Sequence, residues 1–384
     1  MRSSRPRFEI VFLLAGCEAR RAELRQHARS ALQRADFRAL ERNLAGRRLL
    51  PLIGSRAIEA APDLIPDSFR EAVASARATA RARGLAIEVT TARLASALAD
   101  MGIPALPLKG PLLAAEAHGD LGLRETSDID LLVPTSRLDD AARVLCAAGY
   151  SEPTDVRRPN GLPDLHLELR HESLPSVDLH WRVHWNEHAF SERMLAGARP
   201  GTDGLLHARP KDRVASILLF HARDGMHGVR AATDLAAWWD RHGAALPPRF
   251  LEGHASSHPE LAPPLTAAAI SAERLTGVPA VGWLGRSASS GRRVDVAVRL
   301  ADWEQAADRD QMSANVMLVG ALLGPRGSGR EFVRRELVLP RRSRAASAIH
   351  TAKVGVRAAI ALWKVRGSRM WAKPPADGLR GGIA

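Results

Sequence analysis

The sequence predicts an α+β fold in which a small mixed sheet is flanked by helical N- and C-terminal regions. Three observations carry that expectation. Much of the chain before Met101 is rich in Ala, Leu, Arg and Glu in helical patterns. Between Ile103 and Arg182 the pattern changes to short apolar or alternating runs, which suit strands. From about residue 208 helical patterning returns, broken at Pro247-Pro248 and Pro263-Pro264.

Residues 8 to 44 read as helical, without Pro or Gly from Cys17 onward. Leu14-Ala15-Gly16-Cys17 resembles a lipoprotein cleavage box, but the apolar run before it is short and Glu9 abuts it. The favoured reading is a cytoplasmic helix. Pro62 and Pro66 mark a connection. Ser68-Phe69-Arg70-Glu71 fits a capping box that opens a long helix to Met101, with Gly84 as a candidate interruption. Gly102 is the expected stop, with Pro104 beyond.

Ile103 to Leu108 reads as a strand, Lys109-Gly110 as a turn, and Pro111 as the first position of a helix over Leu112 to His118. Ser127 to Val133 reads as a second strand, stopped by Pro134. Thr135 or Ser136 is expected to cap the next helix, whose first turns carry Asp139 and Asp140. Leu165 to Arg170 and Val177 to Arg182 alternate apolar with polar residues around a turn at 172–176, which predicts a hairpin. Asp212 to Asp224 and Val229 to His242 are the clearest later helices.

At 384 residues the chain exceeds one ordinary domain. The expected division is 1–84, a helical region; 85–200, the sheet-bearing core; 201–330, a second helical region; and 331–384, a basic helix and tail. Two Cys, far apart, make no disulfide framework and fit a reducing compartment. No apolar run approaches a membrane span. Residues 325–384 carry 14 Lys or Arg against 3 Asp or Glu, and hence +11 of the +13 net charge. The rest is nearly balanced, so the high pI does not mark the whole chain as a nucleic-acid binder. An anionic partner is confined to that C-terminal segment.

Asp128 and Asp130 stand two residues apart on an otherwise apolar strand. They therefore share one face, with Ile129 on the other. Two acids there repel each other and resist desolvation unless a cation sits between them. Hard divalent ions take such oxygen ligands together with substrate phosphates. Asp178 supplies a third carboxylate on a neighbouring strand, and three acids on two strands suit a two-metal arrangement. Lys109-Gly110 at a helix N-terminus puts a cation and backbone N–H groups where an anion could sit, although the same pair also serves as an ordinary turn. Arg124 is open between a triphosphate contact and an ion pair. His180 shares the face of Asp178 and is a candidate pocket residue. His180, His184 and His188 mimic a zinc spacing, but His180 lies in a strand pattern, so zinc is not expected there.

Leu108-Lys109-Gly110, Arg124, Ser127 to Val133 and Val177-Asp178-Leu179-His180-Trp181 together resemble nucleotidyltransferase family 5, in the polymerase-β-like nucleotidyltransferase superfamily. The resemblance covers residues 85 to 240 and includes Leu218 to Ala222 and Thr233-Asp234-Leu235. It implies a nucleotidyltransferase core, with metal and catalytic roles for Asp128, Asp130 and Asp178. It also implies Mg²⁺ or Mn²⁺ as cofactor and an NTP, ATP first, as co-substrate. Lys109, Gly110, Arg124 and Ser127 are the expected nucleotide-binding residues. Lys109-Gly110 stands where Gly-Ser is usual in the superfamily, so the metal roles carry over more directly than the phosphate role. The acceptor is left open among small molecules, peptides and proteins. Two other readings stand beside this one: a nucleotide- or partner-binding module without turnover, and a nucleic-acid-associated protein using the basic segment.

Overall fold

The computed structural model describes residues 5–151, 165–187, 189–289, 291–301, 309–325 and 352–360. The chain begins with helices α1 (Arg5–Ala15), α2 (Glu18–Glu23), α3 (Arg25–Gln33), α4 (Phe37–Gly46) and α5 (Leu50–Ala60), followed by the long α6 (Asp67–Asp100). The sheet region comprises β1 (Leu106–Pro107), α7 (Gly110–His118), β2 (Asp128–Leu132), α8 (Leu138–Ala147), β3 (His166–Leu169) and β4 (Ser176–His180). Next come α9 (Phe190–Gly197), β5 (Arg199–Pro200), β6 (Leu206–His207), α10 (Pro210–Arg223) and α11 (Arg230–His242). The remaining helices are α12 (Glu252–Ser257), α13 (Ala262–Thr276), α14 (Ala280–Leu284), α15 (Arg292–Leu300), α16 (Arg309–Leu323) and α17 (352–360). The fold is the expected α+β one, a small mixed sheet with helical flanks.

Sheet order is β1-β2-β4-β3, with β2 and β4 parallel and the outer pairs antiparallel. Alternation along the strands gives the sheet two unlike faces. Ile129, Leu131, Val177, Leu179, Leu167 and Leu169 form an apolar face packed on Ile87, Leu94 and Leu98 of α6 and on Leu138, Ala141 and Leu145 of α8. Each such buried side chain contributes about 1.5–3 kcal/mol. The alternate positions, Asp128, Asp130, Asp178, His166 and His180, project from the opposite face.

The N- and C-terminal helical regions are not separate cores. Ile10, Val11 and Leu14 of α1 join Leu218, Leu235, Leu265 and Trp283 in one cluster. The apolar run before Cys17 is thus explained by packing, and Cys17 itself is buried. No described helix is long and apolar enough to cross a membrane. The short α17 docks Val354 and Ala358 on Ala314 and Met317. The expectations for 326–351 and 361–384 lie outside the described residues.

Several local expectations are corrected. The capping box at Ser68 is not made: α6 starts at Asp67 behind Pro66, with no side-chain cap. The helix then runs unbroken for 34 residues. Gly84 is buried within it, where an added Cβ would press on Leu121 at 3.3 Å. Close helix-to-loop approach, and not a break, accounts for that glycine. The expected boundary at residue 84 therefore falls inside a continuous helix. Thr135 and Ser136 open a single 3₁₀ turn, and α8 has no side-chain cap. The Thr135 N–H and Oγ1–H both donate to Glu192 instead.

A buried network ties α11 to the sheet region. Asp234 accepts from Arg124 Nε at 3.0 Å and lies 2.9 Å from His118 Nε2, and all three side chains are nearly inaccessible. Burial alone would raise the Asp234 pKa, but Arg124 and then His118 hold it well below the usual carboxylate range. Asp234→Ala would leave the Arg124 charge uncompensated in the interior. The expected loss is about 3–5 kcal/mol of unfolding free energy in urea. Unchanged stability would remove this network as the anchor of α11.

Candidate active site

The register of β2 against β4 sets the site. Asp130 pairs with Asp178, and Asp128 pairs with Ser176. Two of the three expected carboxylates thus stand on adjacent parallel strands, with the third two residues along the same face. Asp130 is buried, whereas Asp128 and Asp178 are half-buried.

The loop between β1 and α7 delivers the cation. Leu108 N–H donates to the Asp130 carbonyl at 3.0 Å, which extends the β1–β2 pairing to the edge of the motif. Lys109 Nζ then lies 3.6 Å from Asp130 Oδ1 and 3.8 Å from the centre of the Phe220 ring. Gly110 has φ +67, a left-handed conformation that costs a side-chain-bearing residue about 1–2 kcal/mol. This turn needs its glycine. Behind it, the fully buried Arg213 donates to the Leu108 carbonyl at 2.6 Å and pairs with Glu116 at 2.9 Å.

His180 sits beneath Asp130, fully buried, with Nε2 at 3.0 Å from Asp130 Oδ1. Burial lowers its pKa, so the ring is neutral and Nε2–H donates to the carboxylate. Burial works against the charge on Asp130 too, but Lys109 and then His180 hold its pKa well below the ordinary value. Asp178 has less support, since Lys109 lowers its pKa but is outweighed. Burial first, then the Asp130 and Asp128 charges, push its pKa up to about 7. Across the β3–β4 pair, His166 stands opposite His180, with Nε2 3.6 Å from Asp178 Oδ2.

The other expected residues divide. Ser127 is at the site: its hydroxyl donates to Asp128 at 3.2 Å and accepts from Arg48 Nη1 at 3.0 Å. Arg124 is 8 % exposed and committed to Asp234, so of its two open roles the structure gives it the ion pair. His180 supports Asp130 and does not line the cleft beside the acids. His184 is buried in the turn after β4, and His188 lies outside the described residues. Sequence reasoning missed Arg48, Arg213 and His166. His166 was within reach: a hairpin turning about Ser173 pairs 166 with 180.

A cleft of about 280 Å³ opens beside the acids. Lys109, Gly110, Asp128 and Asp130 line one part, and Glu88, Asp203 and His207 another. The donor set fits a divalent cation. It is oxygen-rich, it shares one face, and it holds a carboxyl whose pKa burial and then the neighbouring negative charges push up to about 7.

Fold and strand-borne acids define an α+β core of the nucleotidyltransferase type. A family model described as an uncharacterised nucleotidyltransferase matches residues 33–271, more than half of the chain, and the protein belongs to that family. No curated protein and no solved structure matches it.

The raised Asp178 pKa has a consequence for the metal-free protein. Unfolded Asp ionises near pH 4 and folded Asp178 near 7, so between those values the folded state binds the extra proton. This contribution to stability therefore falls as pH rises from about 4 to 7 and stays lost above. Asp178→Asn should flatten that slope and stabilise the chelator-treated protein above pH 7, by roughly 3–4 kcal/mol at most. Denaturation midpoints at pH 4.5 and 8, as convenient test values of about those magnitudes, would show it. An identical pH dependence in variant and wild type would refute the assignment.

Proposed function

We propose that the protein transfers a nucleoside monophosphate from an NTP, ATP being the first candidate, to a hydroxyl or phosphate on a small molecule, peptide or protein. The observation that carries this reading is the shared face of Asp128, Asp130 and Asp178 beside the Lys109-Gly110 turn. In the reaction the acceptor oxygen forms a bond to the α-phosphorus. The α–β phosphoanhydride bond breaks, and pyrophosphate leaves.

Asp128, Asp130 and Asp178 would hold Mg²⁺ or Mn²⁺, which when bound neutralises phosphate charge and acidifies the acceptor hydroxyl. The remaining work falls to the chain. Lys109 has the reach to exchange Asp130 for a phosphate, and the α7 N-terminus supplies backbone N–H groups beside it. Arg48, on Ser127, replaces Arg124 as the second cation in this reading. His180 fixes the Asp130 carboxylate. Asp178, with a pKa near neutrality, suits the acceptor proton. Two free cysteines, one of them exposed, support a reducing, cytoplasmic setting.

One observation favours a binding module without turnover: Lys109 already balances the Asp130 charge and His180 donates a hydrogen bond to it. Kinetics separates the two readings. Purified protein is incubated with each labelled NTP, Mg²⁺ and an acceptor panel, and label transfer is measured. Asp128→Asn and Asp130→Asn should each abolish transfer while the circular dichroism spectrum stays unchanged. Wild-type turnover in either variant would exclude the metal role. Lys109→Ala should weaken binding of a non-hydrolysable NTP by about 1.5–3 kcal/mol in calorimetry, the range for a hydrogen bond to a charged group. Unchanged affinity would return Lys109-Gly110 to an ordinary turn.

A further inference from the structure

The polar face of the sheet holds a second set of donors. His166, Asp178 and His180 each offer one ligand atom, and the three atoms lie within 4.8 Å of one another. The two imidazole rings are 4.8 Å apart between centroids. The set is assembled by strand pairing, since His166 lies opposite His180 and Asp178 is two residues back on the same face.

Two features distinguish it from an incidental cluster. First, Nδ1 of His166 and Nδ1 of His180 are both buried without a hydrogen-bond partner among the described residues. An unpaired buried polar atom costs about 1–3 kcal/mol, and here two occur on residues that pair across neighbouring strands. Second, His180 Nε2–H is committed to Asp130, which leaves its other nitrogen with a free lone pair. A carboxylate that fixes the tautomer and orientation of an imidazole is the usual support behind a metal-binding histidine. Lys109 and Arg223 oppose a cation here, whereas Asp128 and Asp130 favour one.

We propose that His166, Asp178 and His180 form a binding site for a divalent transition ion of the Zn²⁺ or Co²⁺ class. Two nitrogens and one oxygen suit that class, whereas Mg²⁺ prefers oxygen donors throughout. The site is distinct in composition from the carboxylate set and shares only Asp178 with it. It stands whether or not the protein turns over nucleotides. It also differs from the His180, His184 and His188 spacing visible in the sequence, because the second histidine comes from the neighbouring strand.

The test uses the full chain, stripped with a chelator and titrated with Co²⁺ alone, without nucleotide or Mg²⁺. Visible absorption and calorimetry should give one Co²⁺ per chain, and the bound ion should produce hyperfine-shifted imidazole N–H signals. His166 is only partly buried, so His166→Ala should fold. It should lower Co²⁺ affinity at least ~10-fold and remove one shifted signal. His166→Gln, which keeps more of the side-chain volume, should do the same. No Co²⁺ binding by the wild type, or wild-type affinity in both His166 variants, would overturn the proposal. Absence of nucleotide transfer with Co²⁺ binding intact would count against the proposed reaction and leave this site standing.

Discussion

Asp130 and Asp178 stand side by side because β2 and β4 pair in parallel, with those two residues in register. Their mutual repulsion, added to burial, is the problem that the surrounding structure answers. On the Asp130 side the answer is local. The loop after β1 brings an ammonium, and β4 brings an imidazole N–H to the same oxygen. On the Asp178 side no described cation offsets burial to the same extent, and the carboxyl is pushed up to about 7. The pair is therefore unequal: one acid is fully ionised and the other is poised. A site that must receive a cation and also accept a proton can use that inequality, because Asp130 stays charged toward the cation whether or not Asp178 carries the proton.

The arrangement holds its geometry because the opposite face of the sheet is closely packed. A one-residue slip of β2 would place Ile129 and Leu131 among the polar groups and bury the acids in the α6 and α8 interface. The cost of exposing and burying those sets fixes the register more firmly than the few strand hydrogen bonds could. The same logic explains why β1 can be only two residues long. Its role is to deliver Leu108 and Lys109, and the Leu108 N–H bond to Asp130 together with the Arg213 bond to the Leu108 carbonyl completes the placement.

Much of this was legible in the chain itself. The shared face of Asp128 and Asp130, the β3–β4 hairpin, Pro111 at the start of α7 and the glycine turn at Gly110 all follow from period-two alternation or backbone restriction. Those are local rules, and they act over a few residues. What could not be read depended on long-range packing. Arg124 finds Asp234 across 110 positions. Arg213 reaches Leu108 across 105, and Arg48 reaches Ser127 across 79. Nothing in the neighbouring residues marks these arginines, since exposed arginines are common in this composition. The capping box at Ser68 failed for the opposite reason: a local motif was present, but α6 began before it.

The C-terminal helices are part of the site and not an appendage to it. Phe220 of α10 lies under Lys109, and Arg213, about two turns earlier on the same side of that helix, holds the loop that carries Lys109. Asp234 of α11 neutralises Arg124, which precedes the acid-bearing strand by a few residues. Removing α10 and α11 would leave β1 and the Lys109-Gly110 turn without their buried partners and would strand charged side chains in the interior. The sheet region thus lacks the means to hold its own geometry. The family match, which runs from residue 33 through 271, takes in these helices as well as the strands. That span contains Arg48, Lys109 and the three acids together with their supports Arg213, Phe220 and Asp234.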